Sequence, residues 1–237
     1  MNQQMDSYHI PVTVADAAVD ERTAFIRRTY GHLTAAIFAF AGLNWVFYVS
    51  GISTTIYNKF FAGGGMAGPL IFFGGFIFVS WLAESWARKD TSVGMQYTGL
   101  GVFVVAESLF FSPLLLLAAS RADGVIYSAS IATLAIFGGL TAFVFTTKQD
   151  FSFMKTFMAV ASFAALGLML CSFIFGFQLG MVFTVVMILL AAGYILYQTS
   201  NVLHHYRTHQ HVAAALALFA SVALLFWYIL RLFMSRE

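Results

Sequence analysis

The chain has 237 residues, of which 60% are apolar and only 9% are charged, with 12 basic and 10 acidic side chains. A soluble domain carries roughly a quarter charged residues, so most of this surface must face lipid rather than water. This composition, with its 27 phenylalanines, excludes a soluble enzyme and a nucleic-acid-binding protein. The net charge of +2 comes from scattered residues in loops and implies no polyanionic partner.

Seven uninterrupted apolar runs follow a polar N-terminal tail. Each run is 18 to 23 residues long, which lets a helix cross a hydrocarbon core of about 30 Å. The sequence therefore predicts an all-α integral membrane protein, a seven-transmembrane helix bundle. Residues 1–31 are predicted to form a cytoplasmic tail and residues 32–237 the membrane domain. The runs cover 32–50, 66–83, 97–119, 124–146, 154–176, 180–199 and 212–234.

A short motif near the N-terminus predicts where the first helix begins. Thr13 and Asp16 have the spacing of a capping box, which predicts a helix from Ala17 to Arg28 that leads into the first span.

The later loops, at 120–123, 147–153 and 177–179, are very short. We therefore expect spans three to six to be antiparallel neighbours in one compact bundle.

Basic residues predict the orientation in the membrane. With a cytoplasmic N-terminus, eight basic residues lie on the inner side and four on the outer side, which favours a cytoplasmic N-terminus and an external C-terminus. The inner set is Arg22, Arg27, Arg28, Arg88, Lys89, Lys148, Lys155 and Arg207; the outer set is Lys59, Arg121, Arg231 and Arg236.

One acidic residue, Glu107, lies deep inside an apolar run. An ionisable side chain near mid-bilayer is costly, so Glu107 must be protonated or paired. It is either a structural acid that is hydrogen-bonded across helices or a relay for protons or cations. Six residues later, Pro113 removes the amide that would bond the carbonyl of Leu109. This predicts a kink there, with Ser112 or a water satisfying the carbonyl.

The loop before the last run carries four histidines, His204, His205, His209 and His211. They form a plain solvated loop, a pH-sensitive surface or, through His205 and His209 on successive helix turns, a zinc site. No cysteine or carboxylate joins them in the sequence, so we expect neither a metal site nor a cofactor. No nucleophile, base and orienting group are assembled anywhere, so we expect no enzyme.

Four stretches carry a family resemblance. Ile26–Tyr30 resembles a characteristic entry to span one. Glu107-Ser108-Leu109 with Ser112-Pro113 is similar to a Glu-Gly-Leu…Ser-Pro signature, with Ser108 in place of glycine. Thr146–Phe153 closely resembles a Thr-Thr-(Lys/Arg)-x-Asp-(Phe/Met)-Ser-Phe loop, and Tyr194–Asn201 resembles a Tyr-Ile-Leu-Tyr-Asp-Thr element. Together they resemble the Bax inhibitor-1 (TMBIM) family, specifically its bacterial YccA-like branch.

The resemblance implies a seven-helix bundle with one central helix, in a bacterial inner membrane. It also implies a calcium-leak or pH-sensing role that depends, in some members, on paired aspartates in spans six and seven. Here those positions are occupied by Gln198 and Ser221. Neither side chain titrates, so we expect the di-aspartyl pH sensor to be lost.

Two functions follow from the resemblance. The first is a membrane stress-response regulator with a calcium or cation leak, in which Glu107 is the remaining intramembrane acid. The alternative is a binding modulator of a membrane AAA protease similar to FtsH, engaged through the N-terminal tail. The expected partners are the lipid bilayer, with calcium or protons in the first case and the protease in the second.

Overall fold

The computed structural model describes residues 13–88, 92–121 and 123–235. Within these ranges the chain forms eight α-helices. They are α1 (Val19–Val49), α2 (Ile52–Phe60), α3 (Ala67–Arg88), α4 (Val93–Arg121), α5 (Val125–Thr147), α6 (Met154–Phe175), α7 (Met181–His204) and α8 (His211–Met234).

Seven of these helices are long and apolar enough to cross a membrane, and they coincide with the seven predicted runs. The all-helical bundle is thereby confirmed. The additional helix, α2, is only nine residues long and mixes polar with apolar side chains. It begins after Gly51, whose φ of 76° is in the left-handed region that glycine adopts without strain.

Helix α8 is the centre of the bundle. In its most apolar stretch 83% of the residues are buried, compared with 11% in α3 and in α6. It packs against α1, α3, α4, α5 and α7. A helix surrounded by other helices has no lipid-facing stripe, which is why α8 is apolar on all sides. The single central helix that the family resemblance implied is confirmed.

Ring contacts show that α1, α4 and α8 run parallel. The centroid distances are 5.3 Å for His32–His211, 5.9 Å for Phe40–Phe219, 6.3 Å for Tyr97–His211 and 6.1 Å for Phe103–Phe219. A residue nearer the C-terminus of α1 or α4 contacts a residue nearer the C-terminus of α8, so the helices point in the same direction. We call the end where these helices begin the polar end; α6 also begins there, and α3, α5 and α7 finish there.

The predicted capping box does not cap a helix. The Thr13 hydroxyl donates a hydrogen bond to the Asp16 carboxylate at 2.6 Å, but α1 begins later, at Val19, and no side chain caps it. The pair instead closes a turn, in which the Asp16 amide also donates to the Thr13 carbonyl. This turn holds Val14, which is fully buried and whose amide donates to the Tyr206 carbonyl at 2.9 Å.

The expected order of neighbouring helices is partly wrong. α4 packs against α5 and α6 packs against α7, as the short loops predicted. α5, however, packs mainly against α7 and α8, and shares no comparable packing with α6. The connection between α5 and α6 is long enough for α7 to lie between them, next to the central helix.

The proline in α4 is accommodated as the sequence suggested. α4 is continuous from Val93 to Arg121 with Pro113 inside it. The Ser112 hydroxyl donates to the Leu109 carbonyl at 2.8 Å and so satisfies the acceptor that Pro113 leaves without an amide. The kink near Leu109 stays a prediction.

Candidate functional site

Glu107 lies on the face of α4 that is buried in the bundle. Only 7% of the residue is exposed, and the buried side chains of Phe103, Val104 and Phe111 lie one turn away on the same helix. Within the ranges that the structure describes, Glu107 takes part in no hydrogen bond or ion pair. An acid is thus held in apolar surroundings without a polar partner from the described chain.

The register between α4 and α8 places Glu107 at the depth of Ser221. Tyr97 contacts His211, and one turn beyond Glu107 the ring of Phe111 stacks on Phe226 at 5.7 Å. The offset between the helices therefore stays near that of Glu107 and Ser221. Ser221 is buried, and its hydroxyl donates to the Ala217 carbonyl in its own helix at 2.8 Å.

Gln198, the second position at which the family resemblance implied an aspartate, also forms its hydrogen bond within its own helix. Gln198 is half-buried on α7, and its Oε1 accepts a hydrogen bond from the side-chain Nδ2 of Asn201 at 3.3 Å. No hydrogen bond joins it to Ser221 among the described contacts. Gln198 and Ser221 therefore stand as two separate polar groups that carry no charge and exchange no protons.

A cavity of about 460 Å³ lies between α1, α4, α5 and α8. Its walls are mostly apolar, with three polar residues, Asn44, Ser130 and Thr133. Ser130 and Thr133 donate their hydroxyls to carbonyls of their own helix, which leaves oxygen lone pairs as acceptors. On α4 the cavity is lined only from Leu115 onward, further from the polar end than Glu107, while on α1 and α8 it begins at Ile37 and Phe219.

Asp150 connects two loops at the polar end. His205 Nε2 lies 3.0 and 3.1 Å from the two carboxylate oxygens, and the Ser200 hydroxyl lies 3.3 Å from one of them. The Ser152 amide donates to Asp150 at 2.8 Å, and the Phe151 amide donates to the Ser200 hydroxyl at 2.9 Å. We call these residues the Asp150 cluster; it ties the α5–α6 loop to the end of α7.

The Asp150 cluster keeps its carboxylate ionised. Burial raises the pKa of Asp150, but hydrogen bonds from Ser152 and His205, together with the charge of His205, outweigh this effect and lower the pKa to about 2. Asp150 is therefore an anion over the whole physiological range. It is a fixed acceptor for His205.

The four loop histidines do not form one group. His204 Nδ1 lies 3.0 Å from the Ser200 carbonyl, and His211 Nε2 lies 3.3 Å from the Tyr97 hydroxyl. Because α7 ends at His204, His205 and His209 do not lie on successive turns of one helix, which the zinc site would require. In the described ranges no group of three or more His, Cys, Asp and Glu side chains is arranged to hold a metal.

Sequence reasoning missed the role of Asp150. In the sequence Asp150 is distinguished only by its place in a loop that resembles a family motif, and its partner His205 is 55 residues away. The predicted topology could have suggested this contact, because the short loop that carries Asp150 and the short loop that carries the histidines lie at the same end of the bundle. The contact of Val14 with Tyr206 carried no comparable signal.

Comparisons with known proteins agree with this architecture. Residues 22–237 match the family described as "Inhibitor of apoptosis-promoting Bax1". The chain is 28% identical to Bax inhibitor 1 of Schizosaccharomyces pombe, over 98% of this chain and 84% of that protein. It is 30% identical to the uncharacterized protein PA2604 of Pseudomonas aeruginosa, over 97% and 96% of the two chains. Protein lifeguard 4 of Mus musculus is 24% identical over 95% and 91%. The chain therefore belongs to the Bax inhibitor-1 family of membrane proteins.

Proposed function

We propose that this protein is a non-catalytic regulator of membrane stress that passes a slow leak of calcium or protons, with Glu107 as its intramembrane acid. The observation that carries this proposal is the burial of Glu107 on α4, at the depth of the central helix's Ser221, without a partner among the described residues. A charged side chain at this depth costs at least about 2.5–3.5 kcal/mol, so an intramembrane acid is a functional candidate by default.

The cavity between α1, α4, α5 and α8 supports a route across the bundle. A cation that leaves the carboxyl toward the opposite end would meet the acceptor oxygens of Asn44, Ser130 and Thr133. Calcium prefers oxygen ligands of this kind. The apolar walls keep the route closed for most of the time, which fits a slow leak rather than an open pore.

The leak we propose lacks the pH sensor of the aspartate-bearing relatives. Two carboxyl groups at close range share a proton and give a sharp titration step. Gln198 and Ser221 cannot do so, and each is bonded within its own helix. Any pH dependence would instead have to arise outside these two positions.

We further propose that the protein lies in a bacterial inner membrane with the polar end in the cytoplasm. Basic residues support this orientation. Among the described residues, the polar end has Arg22, Arg27, Arg28, Arg88, Lys148, Lys155 and Arg207, and the opposite half has Lys59, Arg121 and Arg231. Lys89 and Arg236, counted in the sequence, lie outside the described residues.

The second candidate function, modulation of a membrane AAA protease, is favoured by one contact. The buried Val14 and its hydrogen bond to Tyr206 fasten the N-terminal segment to the loop before the central helix. A protease that pulled on the tail would therefore apply force directly to this loop. Residues 1–12, which would form the handle, lie outside the described residues.

Ion flux through purified protein in proteoliposomes distinguishes the two functions. We expect Glu107→Gln to lower calcium or proton flux several-fold while the thermal stability stays within about 1 kcal/mol, since an amide replaces a neutral acid of the same shape. Glu84→Gln is the matched control, because Glu84 is an exposed acid paired with Arg88 at the polar end. Flux that is unchanged by Glu107→Gln would overturn the leak and leave the protease as the candidate.

A further inference from the structure

The polar end holds a second group of metal-ligating side chains, separate from the Asp150 cluster. His32 of α1, Tyr97 of α4 and His211 of α8 bring three rings together from the three parallel helices. The ring centroids are 5.2 Å apart for His32–Tyr97, 5.3 Å for His32–His211 and 6.3 Å for Tyr97–His211. Each residue lies at the beginning of an apolar run, so the rings share one depth.

One ring nitrogen of each histidine has a defined neighbour. His32 Nδ1 lies 2.6 Å from the Arg28 carbonyl, so it carries the proton and leaves the lone pair of Nε2 free. A backbone carbonyl that fixes the tautomer in this way is the usual outer partner of a metal-bound histidine. His211 Nε2 lies 3.3 Å from the Tyr97 hydroxyl oxygen. Neighbouring ligand atoms of a tetrahedral zinc ion, with bonds of about 2.0–2.1 Å, are about 3.3 Å apart.

We propose that His32, His211 and Tyr97 form a binding site for a divalent transition metal of the zinc class, completed by water. Two imidazoles favour zinc, nickel or copper over calcium and magnesium, which take oxygen ligands. Both histidines are half-buried and Tyr97 is 40% exposed, so the ion can enter from the polar end.

The site is a reversible one, and it acts on the fold. Arg28 is close enough to influence His211 electrostatically, and its positive charge opposes the binding of a cation. A metal held by all three residues links the beginnings of α1, α4 and α8. Zinc would therefore clamp the polar end of the bundle around its central helix.

Zinc titration of the purified full chain, without a polyhistidine tag, tests the site by calorimetry. We expect His32→Ala and His211→Ala each to weaken zinc binding by about tenfold or more, and the double variant to abolish it. Tyr97→Phe should weaken binding less, since water can replace the phenol. His204→Ala and His205→Ala are matched controls from the neighbouring loop and should keep the parent affinity.

Thermal unfolding gives a second measurement that does not depend on transport. Zinc should raise the melting temperature of the parent and of the His204→Ala control, and should leave the His32→Ala, His211→Ala double variant unchanged. The proposal is overturned if the parent binds no zinc, or if the double variant binds zinc with the parent affinity.

Discussion

At the residue scale, Asp150 is the ionised side chain whose contacts are best defined. Its pKa of about 2 is below its ordinary value of 3.8. A carboxyl whose pKa is lowered by folding stabilises the fold above its unfolded pKa and loses that contribution as the pH falls toward the folded pKa. The contribution of Asp150 is therefore complete above about pH 4, and it disappears between about pH 4 and pH 2.

The corresponding prediction is for Asp150→Asn. The carboxylate is 44% exposed, so water screens its ion pair with His205 and the variant should lose no more than about 1 kcal/mol at pH 7. The difference in melting temperature from the parent should shrink as the pH is lowered from 4 to 2. A difference that stays constant over this range would show that the lost contribution is not electrostatic.

The same residue shows where sequence reasoning ends. The type of each site residue can be read from the chain, and Gln198 and Ser221 are side chains that do not titrate. The partner of Asp150 could not be identified, because a contact between loops 55 residues apart depends on which helix lies between them. The apolar runs predict that helices exist, but they do not fix their neighbours.

At the element scale, α3 and α4 approach closely at one glycine. A Cβ on Gly99 would lie 2.6 Å from the Ala83 carbonyl oxygen and 2.7 Å from the Ala87 amide nitrogen. Both contacts are with backbone, which cannot move aside as a flexible side chain can. Small residues at a helix contact let the backbones pack in van der Waals contact within a membrane.

We therefore predict that Gly99→Ala destabilises the protein by about 1–3 kcal/mol, because the α3–α4 contact must open to admit the methyl group. Gly101→Ala is the matched control on the same helix, since no atom lies within 4 Å of its added Cβ. Thermal unfolding in detergent compares the two variants. Equal melting temperatures would show that α3 moves away from α4 at little cost.

The elements themselves were predicted to different extents, for physical reasons. The seven spans are confirmed because lipid requires a long apolar helix for each crossing. Helix α2 was missed because its nine residues include Ser53, Thr54, Thr55 and Asn58, which read as a loop. The capping prediction was wrong because Thr13 and Asp16 bond to each other, and Val14 is drawn into the core beside them.

At the scale of the whole molecule, the contacts at the polar end converge on the beginning of the central helix. The α7–α8 loop carries His205, which binds Asp150. It also carries Tyr206, whose carbonyl accepts a hydrogen bond from the backbone amide of Val14. α8 therefore enters the bundle from a loop that is held from two sides, by the N-terminal segment and by the α5–α6 loop. Both contacts therefore lie next to the start of α8, which packs against α1, α3, α4, α5 and α7.

Topology supplies the last prediction. Ring contacts fix the relative direction of the spans, since α1, α4 and α8 begin at the same end and the chain therefore finishes at the other. The excess of basic residues at the polar end predicts the absolute direction, with that end in the cytoplasm. Alkaline phosphatase fused after Arg236 should be active and green fluorescent protein dark, and fusions after Thr147 should give the reverse. If both sites read the same side, α8 does not cross as the packing requires; if both readings are inverted, the packing stands and the charge argument is wrong.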